Sequence, residues 1–74
     1  MLSSSQARSL AAVLIDRLGS AGIAAAMLRA QEAEKRGDLI EMSDWRRVAA
    51  QAVRRMAERD PRFILERDRT APLH

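Results

Sequence analysis

The residues able to carry chemistry in this chain are few and poorly placed for it. His74 is the one histidine and lies at the last position, and there is no cysteine. A thiolate nucleophile, a disulfide and a thiolate zinc site are therefore excluded, and a histidine-based metal site lacks ligands. Ser3, Ser4, Ser5, Ser20 and Ser43 carry hydroxyls, but each reads as a helix cap or a surface residue. The carboxylates form no working pair. Glu32 and Glu34 are two residues apart, as are Glu58 and Asp60, so their side chains diverge on a helix. Glu34 and Asp38 straddle a helix end. A di-metal carboxylate bundle needs a Glu-x-x-His element, which is absent. So are the phosphate-binding loop, the dinucleotide-binding glycine turn and the H-E-x-x-H helix. The sequence predicts a non-enzymatic protein with no cofactor, no metal and no small-molecule substrate.

Charge is more informative. Residues 1–42 hold five Lys/Arg and five Asp/Glu, whereas residues 43–74 hold eight Arg and five Asp/Glu, which supplies the whole net +3. Arg47, Arg54 and Arg55, with Gln51 between them, lie off the apolar stripe of the third helix and form a basic face, flanked by Arg46 and Arg59. Such a face can bridge phosphates or read guanine edges. The plainer account is a solvated surface balanced by Asp44 and Glu58. A second feature lies beyond Pro61. Phe63, Ile64 and Leu65 are consecutive, so one helical turn cannot hide them on a single face. They either fold back or dock on another chain, with Arg62 and Arg67 as a charged rim. Arg47, Arg54, Arg55, Phe63, Ile64 and Leu65 are the candidate partner-binding residues. The favoured reading is an interaction module: an accessory subunit, an adaptor or a small inhibitor, whose partner is another protein chain or a second copy. The alternative is a nucleic-acid-binding protein using the basic face.

The elements that must position these residues are helical. Ala, Leu, Arg, Glu and Met dominate, all good helix formers. Ser3-x-x-Gln6 has the capping-box form, and Ala7, Leu10, Ala11, Leu14 and Leu18 recur at helical spacing, widened by Val13 and Ile15, until Gly19. This gives a helix near 4–18. Ser20 can cap a second helix near 21–36, with Ala21-Gly22 as a weak start and Ile23, Ala26, Met27, Ala30 and Ala33 on one face, ending at Gly37. Asp38, with Glu41 three residues on, opens a third near 39–59. Its stripe is Leu39, Met42, Trp45, Ala49, Ala52, Val53 and Met56. The stripe runs unbroken past Ser43, which favours one long helix over a start at Asp44. Asp60-Pro61 ends it.

The expectation is an all-α, three-helix domain over residues 1–60 and a C-terminal tail, with helical structure in the tail left open, over 61–74. Its core is expected to comprise Leu14, Leu18, Ile23, Met27, Met42, Trp45, Ala49, Ala52 and Met56. Trp45 would be the largest plug, and its loss would abolish folding. Met27, Met42 and Met56 read as adaptable filler, with a Met-lined groove for a partner helix as the alternative. A chain this short is marginal by its surface-to-volume ratio, and its fourteen alanines bury little area each. No run of about 18 apolar residues is present, so no membrane span is expected. The opening Met1-Leu2-Ser3-Ser4-Ser5 lacks the features of a signal peptide, and the cytoplasm is the expected location.

The stretches Leu14-Ile15-Asp16-Arg17-Leu18-Gly19, Gly37-Asp38 and Trp45-Arg46-Arg47 together resemble a group of short alphaproteobacterial helical proteins. In that group a first helix ends in Leu-Ile-x-Arg-x-Gly, followed by an Ala-rich helix. A Gly-Asp turn then leads into a helix carrying Trp and a basic residue. The resemblance spans about residues 10–57. It implies the helical fold and, the group having no assigned activity, no mechanism.

Overall fold

A computed structural model describes residues 1–60 and 62. Three helices follow one another: α1 (Ser4–Leu18), α2 (Ala21–Lys35) and α3 (Leu39–Arg59). The ends are set by local chemistry. The Ser3 hydroxyl accepts from the Gln6 amide at 3.1 Å, and the Gln6 side chain accepts from the Ser3 amide at 2.8 Å. Gly19 leaves α1 at φ 61°, where its amide donates to Ile15 O at 2.8 Å. Gly37 (φ 76°) and Asp38 make the second turn, and the Asp38 carboxylate accepts from the Glu41 amide at 3.0 Å. The long reading of α3 holds, with helix running through Ser43.

Ser20 differs from expectation: its side chain makes no capping bond. The α1–α2 connection is tight enough for the main chain to serve instead. Gly22 N donates to Gly19 O at 2.9 Å and Ile23 N to Ser20 O at 3.1 Å, so donors that a cap would satisfy are already bonded.

The side-chain links fix the directions. Leu2 meets Asp44 and Arg47, while Asp16 meets Arg55 and Arg59, so α1 runs parallel to α3. Glu34 meets Arg46, and Ser20 and Val53 line one groove, so α2 runs antiparallel to α3. Both α1 and α2 rest chiefly on α3.

The interior is lined by small residues. Ala7, Ala11 and Ile15 of α1, Ala26, Ala30 and Ala33 of α2, and Val48, Ala49 and Ala52 of α3 are buried. Ile15 and Val48 are the largest fully buried side chains. Leu2, Leu10, Leu14, Ile23, Trp45 and Met56 pack around this centre half-buried. The expected core therefore needs correction. Leu18 is 50% exposed and Met27 45%, Met42 is half-buried, and Trp45 is a flank residue rather than a central plug. The physical reason is the alanine lining. Helices that meet through alanines approach closely, and the gap between them has no room for longer side chains. Those side chains spread to the edges, where Arg29 stacks its guanidinium 5.8 Å from the Trp45 ring centroid.

Gly22 marks a close approach. It is buried, and a methyl group in place of its hydrogen would stand 2.8 Å from the Leu14 carbonyl oxygen. The weak helix start read at Ala21-Gly22 is where α2 presses on the backbone of α1.

Candidate functional site

Three surface features are built by this packing. The first closes one end of the α1/α3 pair. Asp44 and Arg47 sit three residues apart on α3 and so share a face. They hold the Leu2 peptide from both sides. Its amide donates to Asp44 Oδ1 at 3.1 Å, and Arg47 Nη2 donates to its carbonyl oxygen. Arg47, a partner-binding candidate from its place on the basic face, is thus half-buried and spent on an internal bond.

The second is a basic cleft of about 310 Å³ between α1 and α3, lined by Arg8, Ala12, Gln51, Arg54, Arg55 and Glu58. Arg54 and Arg55 are brought together here as the sequence suggested. Arg55 also reaches across to Asp16, with Nη2 3.3 Å from Oδ1 and 3.4 Å from Oδ2. Asp16 is in turn 3.5 Å from Arg59, whose Nη1 donates to Ile15 O at 3.2 Å near the carbonyl end of α1. Arg8 and Arg54 have no carboxylate partner among the described residues. Arg8 was not singled out from the sequence. It lies 46 positions before Arg54, and only the parallel pairing of α1 with α3 brings the two together.

The third is an open apolar groove between α2 and α3, of about 620 Å³. Ile23, Ala24 and Met27 form its α2 wall, Ala49, Ala50 and Val53 its α3 wall, and Ser20 and Arg46 stand at its edges. Glu34 lies seven residues beyond Met27 on the same stripe of α2, and its carboxylate is 3.2 Å from Arg46 Nη2. The groove therefore has an apolar floor and, toward one end, an exposed pair of opposite charges. Of the three methionines read as filler or groove lining, Met27 takes the groove.

Phe63, Ile64 and Leu65 lie outside the described residues. Among the described residues no three His, Cys, Asp or Glu side chains converge as metal ligands, and no helix is long and apolar enough to cross a membrane. No protein-family model, no curated protein and no solved structure matches the chain.

Proposed function

We propose that this chain is a non-enzymatic interaction module whose α2/α3 groove receives a helix of another protein chain. The carrying observation is the groove itself: an open apolar trough lined by Ile23, Ala24, Met27, Ala49, Ala50 and Val53. Helix-in-groove recognition uses an apolar trough of this kind and an amphipathic helix whose anchors recur at helical spacing. The small alanine side chains in the lining admit a close helix, and the flexible thioether of Met27 adapts to its surface. The interior gives a second reason. Among the described residues only Ile15 and Val48 are sizeable fully buried side chains, and a domain with so small an interior gains from covering further apolar surface. An accessory subunit, an adaptor or a small inhibitor all fit this description.

A photo-crosslinking residue in place of Met27, with Arg17 as a control position, tests this in the native host. Crosslinked protein adducts at Met27 and none at Arg17 support the groove as the docking face. Absence of adducts at Met27 removes it.

Nucleic-acid binding is a second reading, favoured by the convergence of Arg8, Arg54 and Arg55 on one cleft. It is weaker, because Arg47 is bonded to Leu2 and Arg55 to Asp16. Binding of this kind must fall steeply with salt. If DNA and RNA fail to bind at low salt, or if Arg8→Glu/Arg54→Glu leaves binding intact, this reading is removed.

A further inference from the structure

We propose that the occupant of the α2/α3 groove is a second copy of this chain, docked about a two-fold axis that runs along the groove. The proposal rests on reading the groove as a docking face and names the partner, which covers the trough with its own α2 and α3 side by side rather than with one inserted helix.

The argument is one of self-complementarity. A two-fold contact pairs a surface with itself, so whatever α2 offers must suit α3 and the reverse. An axis parallel to the helices places α2 of one copy opposite α3 of the other at the same height. Because α2 and α3 are antiparallel within a copy, the facing helices are antiparallel too. Ile23 then meets Val53 of the partner copy at one end, and Met27 meets Ala49 and Ala50. At the other end Glu34 faces Arg46 of the partner copy. These are the two groups that pair at 3.2 Å within a copy, 57% and 58% exposed and free to exchange partners. Apolar thus meets apolar and acid meets base along the whole length. The two-fold with its axis across the groove would instead lay the Glu34–Arg46 pair of one copy on the apolar end of the other, taking both charges out of water against a surface with no polar group to meet them.

The size of the face sets the strength. Fifteen residues make α2 about 22 Å long, and two helices side by side are roughly 20 Å wide, a footprint on the order of 400 Å² per copy. That is about half of what a standard stable interface uses on each side, so the dimer is weak and reversible.

The full chain, Glu34→Arg, Arg46→Glu and Met27→Glu are compared by sedimentation velocity from about 10 μM to about 1 mM. Circular dichroism verifies that each variant is folded. The substituted side chains are all exposed, so folding is expected to survive. The wild type should dimerise with concentration, and each single variant should stay monomeric over the range where the wild type associates. An equal mixture of Glu34→Arg and Arg46→Glu should dimerise again. Each variant has like charges within its own copy, and only a contact between copies restores two opposite pairs. A monomeric wild type throughout, single variants that still dimerise, or a mixture that stays monomeric overturns the proposal. Crosslinks from Met27 to a different protein alongside a monomeric wild type would retain the docking groove and reject the second copy.

Discussion

Gly22 presses its α-carbon against the backbone of Leu14: a methyl group there would stand 2.8 Å from the Leu14 oxygen, 2.9 Å from its carbonyl carbon and 3.1 Å from its β-carbon. Two of those atoms are main chain and cannot swing aside. Gly22→Ala gains about 1 kcal/mol of helix propensity. It also forces α1 and α2 apart, at an overpacking cost of roughly 1–3 kcal/mol. Net destabilisation is expected, with a melting temperature lower by several degrees. A variant that melts at or above the wild type would show that the two helices do not meet at Gly22.

Ile15 and Trp45 should respond in an order that size alone does not give. Ile15 is fully buried, so Ile15→Ala should cost about 2–5 kcal/mol. That is a large part of the whole stability of a domain this small. A fully buried Trp loses about 3–5 kcal/mol on truncation, but Trp45 keeps part of its surface in water, and Trp45→Ala should lose less than that. Thermal unfolding should therefore show Trp45→Ala folded with a lowered midpoint, and Ile15→Ala lower still. The reverse order would move the core to Trp45.

The hold on Leu2 should be visible at its amide. Hydrogen exchange at Leu2 should be slowed in the wild type and become fast in Asp44→Ala, which removes the acceptor at 3.1 Å. Arg47→Gln should lower stability by about 1 kcal/mol, the scale of a partly exposed hydrogen bond from a charged group. A Leu2 amide that exchanges at the free-peptide rate in the intact protein would rule the contact out.

A chain ending at Asp60 should keep its helical content and its melting behaviour. Among the described residues, the buried cluster and the side chains packed on it fall between Leu2 and Met56 and join all three helices to one another. If residues 61–74, with Phe63, Ile64 and Leu65, instead serve docking, the truncated protein keeps its fold and loses association. Unfolding on truncation would place that cluster in the core and remove it as a docking element.

Helix ends were legible in the sequence because they are decided by neighbours. Ser3 with Gln6, Gly19, and Gly37 with Asp38 each carry their own capping chemistry within a few residues. Which apolar residue faces inward was not legible in the same way. On α2 the single face read through Ile23, Ala26, Met27, Ala30 and Ala33 divides in the structure: Ala26, Ala30 and Ala33 are buried, Ile23 is half-buried and Met27 is 45% exposed. The spacing does not say which part of so wide a face the neighbouring helices cover. Arg47 shows the same limit for charge. Its spacing placed it with Arg54 and Arg55, but its partner is a main-chain oxygen 45 positions earlier. Arg8 was overlooked for the converse reason, belonging by sequence to a helix of balanced charge.

The parallel course of α1 and α3 bears on how the molecule is assembled during synthesis. α2 and α3 are sequence neighbours and can form an antiparallel hairpin at a low cost in loop closure. α1 is made first, yet the groups that hold it belong to α3, at separations of 39 to 45 residues. An emerging α1 therefore has only its contact with α2 around Gly22 to settle on until α3 has been made, and it should dock last, onto a hairpin already formed. Substitutions that loosen its seat, such as Ala11→Gly, should then speed unfolding and leave the folding rate nearly unchanged, whereas Val48→Ala should slow folding itself. Equal slowing of folding by both would mean that α1 is in place at the transition state.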